Sequence, residues 1–103
     1  MVKKIIIAIV VIILVAIIGV FSWYNLSLGA VNKNDTETKT IEIEMGTGSA
    51  GIARILKHND LIKSEVAFKI YVKLNGISNF QAGKYTLNKS MDIKQITDIL
   101  QTG

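Results

Sequence analysis

Cysteine is missing from this 103-residue chain, which excludes disulfides, a lipid-modified cysteine anchor and any cysteine-ligated metal. Histidine occurs once, at His58, so no metal site is expected and the candidates for a general base are few. No serine or threonine stands in a plausible sequence setting with the one histidine and an acid for a nucleophilic triad, which is defined by spatial geometry. Acidic residues number eight, and of these Glu42 and Glu44 alternate with apolar neighbours. Paired catalytic carboxylates need opposed positions across a cleft, so these two are read as solvating a strand. Excess charge is small as well. The net charge is +4, but Lys3 and Lys4 lead the chain, and residues 25–103 hold ten basic and eight acidic residues. That balance is no nucleic-acid footprint. Lys57, Lys63, Lys69 and Lys73 are interrupted by Asp60 and Glu65 and read as a solvated face. No repeat or low-complexity segment is present, and no cofactor is expected.

What the chain does have is one long apolar run. "IIIAIVVIILVAIIGVF" fills Ile5 to Phe21, and Trp23 and Tyr24 follow where an aromatic belt would lie. As a helix rising roughly 1.5 Å per residue, the stretch through Tyr24 is long enough for a ~30 Å hydrocarbon core. It exceeds the ~7 to 15 apolar residues of a signal peptide. An uncleaved anchor over residues 1–24 is therefore expected, with cleavage near Ser27, Gly29 and Ala30 as the alternative. Lys3 and Lys4 precede the run, whereas residues 25–37 after it carry one lysine and two acids, so the positive-inside rule puts the N-terminus in the cytoplasm and the remainder outside. Ala8, Ala16 and Gly19, the small residues of the run, do not form a close-packing seam.

Residues 25–39 are polar and lack any period, which reads as a linker. Residues 40–103 form the expected domain, near the lower size limit for folding without disulfides. Ile41, Ile43 and Met45 alternate with Thr40, Glu42 and Glu44, a period of two that predicts a half-buried strand. A short helix follows through Ile52, Ile55 and Leu56, capped by Gly48 or Ser49 and stopped by "HND". Ser64 caps a second helix whose apolar face is Ala67, Ile70, Tyr71 and Leu74, widened by Phe68 and Val72 and closed by Asn75-Gly76. "GKYTL", Gly83 to Leu87, predicts a second strand, antiparallel to the first. Asp92 and Gln95 form a capping box for a last helix with Ile93, Ile96, Ile99 and Leu100 buried, and Gly103 suits its C-cap. The expected fold class is α+β: one transmembrane helix, then a small β-α-α-β unit with an extra C-terminal helix.

Between the first strand and the first short helix stands "MGTGSAG", which spells G-x-G-x-x-G with Gly46, Gly48 and Gly51. Glu65 lies about 20 residues past the first glycine, where a ribose-binding acid belongs in a dinucleotide fold. Three features oppose that reading. Rossmann strands are apolar on both faces, whereas "TIEIE" has a wet one. A second strand is too few for a doubly wound sheet, and the domain is expected outside the membrane. No nucleotide partner is expected. Tyr71, Tyr85 and Phe80 could stack on a sugar. Tyr71 and Tyr85 lie on apolar faces and read as core, and Phe80 lies in a loop.

"FQAGKYTLNKSMDIKQITDIL", Phe80 to Leu100, resembles the N-terminal region of the YceG-like, or MltG, family of endolytic murein transglycosylases. There a membrane helix precedes a LysM-like subdomain. Gln81, Ala82, Gly83, Tyr85, Leu87, Ser90 and Met91 carry the likeness, and it extends back through "IEIEMGTGSAGIARILKHNDLIKSEVAFKIYVKLNG". The resemblance implies a LysM-like unit in which N-acetylglucosamine-containing glycan lies between Gly46, Thr47, Gly48 and Ser49 on one side and Ile77, Ser78 and Asn79 on the other. An uncharged acetamido sugar suits bare backbone and small apolar contacts. The family also has a catalytic domain with an acid glutamate, and no residue here matches it. The expectation is a single-pass module of the bacterial cell membrane that binds or orients at peptidoglycan without cleaving it. The alternatives are a transglycosylase whose catalytic domain lies beyond Gly103, and a module docking on cell-wall synthesis proteins through its last helix.

Overall fold

The computed structural model describes residues 1–102, so the expected cap at Gly103 lies outside the described residues. Six elements follow one another: α1 (Val2–Leu28), β1 (Thr38–Ile43), α2 (Ser49–His58), α3 (Glu65–Leu74), β2 (Gly83–Asn88) and α4 (Ile93–Thr102). This is an α+β arrangement. α1 is long and apolar enough to cross a membrane, and its large side chains from Ile5 to Phe21 are exposed along the whole run. That is the surface a lipid-facing helix presents.

β1 and β2 pair antiparallel, with Ile41 opposite Tyr85 and Glu42 opposite Lys84. The period of two puts Ile41, Ile43, Tyr85 and Leu87 on one face, all buried, and Glu42, Lys84, Thr40 and Thr86 on the exposed face. Opposite charges facing each other across a pair stabilise an exposed sheet face modestly. Two strands alone would be marginal in water. Here Ile52 and Leu56 of α2, Phe68 and Val72 of α3, and Ile93, Ile96 and Leu100 of α4 close over the apolar face, joined by Leu61 and Ile62.

Helix ends follow the local chemistry. The Ser64 hydroxyl accepts from the Ala67 amide at 3.2 Å. Asp92 and Gln95 make the reciprocal bonds of a capping box, at 2.8 Å and 3.0 Å. α3 ends in a Schellman motif: the Ile77 amide reaches Val72 O, the Gly76 amide reaches Lys73 O, and Gly76 has φ +61°. α2 closes the same way through Leu61 to Leu56 O and Asp60 to Lys57 O, with Asp60 at φ +56° in the position glycine usually takes.

Several expected core positions move. Met45 is 91% exposed, because β1 ends at Ile43 and the alternation stops with it. Leu74 is 71% exposed and Ile70 only half-buried; Ala67, Phe68 and Val72 form the buried face of α3. Ile99 is half-buried, while Thr97, which apolar counting overlooks, is buried with its hydroxyl bonded to Lys94 O at 3.0 Å.

Segment 25–37 is attached to the domain at several points. α1 continues to Leu28, Ser27 and Ala30 are buried, and the Asn32 amide donates to Lys89 O at 3.0 Å. Lys63 donates from Nζ to Leu26 O at 3.1 Å, a lysine at the negative end of the helix dipole.

Candidate functional site

Strand register determines where the candidate residues meet. β1 ends at Ile43, whose partner is Gly83, the first residue of β2. The loop leaving β1 (44–48) and the loop entering β2 (77–82) therefore sit at the same end of the sheet. Gly46, Thr47, Gly48 and Ser49 belong to the first, with Ser49 opening α2; Ile77, Ser78 and Asn79 belong to the second. Gly46, Gly48, Ser78 and Asn79 are exposed, and Thr47, Ser49 and Ile77 are half-buried. None of these seven side chains is charged.

The first loop is a turn closed by the Thr47 amide on Glu44 O at 3.1 Å. Gly46 has φ +86°, a conformation that side chains rarely adopt. Gly48 differs: it is the N-cap of α2 at φ −76°, and a Cβ built there meets nothing within 4 Å. Its backbone therefore faces open space with no fold requirement for glycine. At Gly51 a Cβ would come within 2.9 Å of the Thr47 methyl. The three glycines of the motif thus do three different things, none of which requires a pyrophosphate.

The second loop is held by α4 and β2. Gln81 donates its amide to Leu100 O at 2.8 Å, Tyr85 donates its hydroxyl to Gln81 O, and Gln101 donates from Nε2 to Asn79 Oδ1 at 2.9 Å. Phe80 stacks on Phe68 with ring centroids 6.2 Å apart and planes 23° from parallel. It is thus engaged with the core rather than presented to a sugar. Tyr85 is buried and Tyr71 half-buried. The contributions of Gln81 and Gln101 escaped sequence reasoning, since the bond from Gln101 spans 22 residues and neither glutamine breaks a period.

For catalysis the arrangement offers little. His58 is exposed in the last turn of α2, and Glu42 faces Lys84 on the wet side of the sheet. Among the described residues no group of three histidine, cysteine, aspartate or glutamate side chains could hold a metal.

α1 carries the expected anchor residues. Ile5 and Phe21 bound its exposed apolar surface, Trp23 is 43% exposed, and Tyr24 is half-buried.

An apolar helix of membrane-spanning length is joined to a small α+β unit, with two exposed loops at one end of its sheet. Residues 41–103 match the YceG-like family, and the chain belongs to that family. It is 47% identical over 85 residues to the endolytic murein transglycosylase of Bacillus subtilis strain 168, a match covering 82% of this chain and 24% of that protein. The endolytic murein transglycosylase of Streptococcus pneumoniae strain D39 is 30% identical over 77 residues, covering 75% of this chain and 14% of that one. The crystal structure of a yceG-like protein from Listeria monocytogenes superimposes with a TM-score of 0.63 at 36% identity, covering 65% of this chain and 22% of its own. The chain thus spans about a quarter or less of the length of these relatives.

Proposed function

We propose that this chain is a membrane-anchored, extracytoplasmic module that holds or orients peptidoglycan glycan and does not itself cleave it. Residues 1–24 are the anchor with the N-terminus in the cytoplasm, 25–39 the connecting segment, and 40–103 a LysM-like unit. The observation that carries this reading is that the uncharged residues Gly46 to Ser49 and Ile77 to Asn79 lie in loops at one end of the sheet, in a chain 47% identical over 85 residues to a murein transglycosylase. Gly48 supplies open backbone on one side and the braced Asn79 a polar amide on the other. Exposed amides and carbonyls suit an N-acetylated sugar.

The test is retention of the full chain, in detergent, on purified peptidoglycan, with release of anhydro-muropeptides assayed in parallel. Retention at low salt without release is the expected result. The Gly48→Val variant, whose new side chain enters the loop region, should lose retention while keeping its helical circular dichroism. Absence of retention by the parent chain would remove the glycan reading, and release of muropeptides would overturn the non-cleaving one.

A second reading rests on the transglycosylase identity of the relatives: the unit serves glycan-strand cleavage by holding the strand for a catalytic domain beyond Gly103. A coding sequence continuing in frame into such a domain supports it. Docking on cell-wall synthesis proteins would use the exposed residues of α4, and a retained protein partner in place of glycan would favour it.

A further inference from the structure

α3 is apolar on two sides. Phe68 and Val72 enter the core, but Val66, Ile70 and Leu74, spaced by four residues, form a stripe on the opposite side of the helix. Val66 is 53% and Leu74 71% exposed. α3 also runs back along α1. Lys63, just before its first turn, bonds Leu26 O, and further along Ile70 lines an open apolar groove of 460 Å³ with Ile13, Ile17, Val20, Phe21 and Tyr24 of α1. Chain direction thus carries α3 from the end of α1 back along its apolar surface. Lys69 and Lys73, both exposed, flank the stripe on one side.

We infer that the outer face of α3 rests on the bilayer that α1 spans, with phospholipid chains in the groove and anionic headgroups at Lys69 and Lys73. The inference rests on the reading of α1 as a membrane anchor. A bilayer around α1 already covers Ile13 to Phe21, and the groove that includes Ile70 is continuous with that surface. Leu74 and Val66, costly to leave in water, then enter the boundary between headgroups and acyl chains. The lysine stems lie along apolar surface while their ammonium groups stay among phosphates. Such a contact would hold the domain at one angle to the membrane, and with it the loop Ile77 to Asn79, which follows α3 directly.

The absence of cysteine makes the test direct. Single Leu74→Cys, Ile12→Cys and Thr86→Cys variants of the full chain are spin-labelled and reconstituted in nanodiscs of phosphatidylglycerol and phosphatidylcholine. Collision rates with oxygen and with a water-soluble nickel chelate are then measured. All three positions are exposed, so labelling leaves the core intact. The label at position 74 is expected to be rich in oxygen contact and shielded from nickel, as at position 12, while that at position 86 is open to nickel. A label at 74 as open to nickel as that at 86, with 12 still shielded, overturns the inference and leaves the anchor standing. A label at 12 open to nickel removes the anchor reading itself. Shielding from both reagents at 74, with spin-spin broadening, would mean that a second copy covers the stripe and would also overturn the inference.

Discussion

Gly46 and Gly48 stand two residues apart in one motif, yet only Gly46 occupies backbone space that other residues avoid. Gly76, at φ +61°, has the same need because it closes α3. Replacing Gly76 by Ala should cost about 1 kcal/mol, since an L side chain in the left-handed region crowds the following carbonyl. Gly48→Ser should leave stability equal or raise it by a few tenths of a kcal/mol, because serine is a better N-cap than glycine and the added atoms meet open space. Urea midpoints of the two variants in the same detergent check both signs. The glycine spacing was legible in the sequence, but the division of labour among the glycines was not. Backbone angles depend on where the strand stops, and Met45 continues the alternation in letters while β1 ends at Ile43.

At the scale of elements, local signals were strong where a side chain bonds its own helix end. Ser64, Asp92 with Gln95, and Asn75-Gly76 mark their helix ends as their chemistry requires. Periodicity was weaker for α3, where the face containing Ile70 and Leu74 and the face containing Phe68 and Val72 are both apolar. Tertiary contact chose the second for the core. Phe68 is fully buried and carries the stacked Phe80, so it links the core to the loop of Ser78 and Asn79. Phe68→Ala should destabilise by roughly 3 to 5 kcal/mol, the usual cost of truncating a buried aromatic, a large part of the stability available to a domain this small. Thermal unfolding followed by far-ultraviolet circular dichroism measures it. The helical signal of α1 that persists above the domain transition separates anchor from domain.

For the whole molecule, topology is the central question, and the two N-terminal lysines give the expectation. Because the chain holds no cysteine, single Asn34→Cys and Val2→Cys variants report sidedness without background. A membrane-impermeant maleimide applied to intact cells should label position 34 and leave position 2 unlabelled until the membrane is opened. The reverse pattern would put the domain in the cytoplasm and remove access to wall glycan. Asn34 suits the purpose, being exposed between the buried Ala30 and the start of β1.

By itself the sequence determined the elements and their order. A long apolar run, one alternating strand segment, helix caps and turn glycines are all encoded within a few residues of where they act. It also carried the family likeness, which residues 41–103 substantiate. Only the tertiary structure decided which apolar face of α3 is buried, that Phe80 leans on Phe68, that Gln101 braces Asn79 from 22 residues away, and that Lys63 ties the domain to the end of α1. These outcomes depend on contacts between segments far apart in the chain, and no local period or spacing encodes which of two similar surfaces will meet.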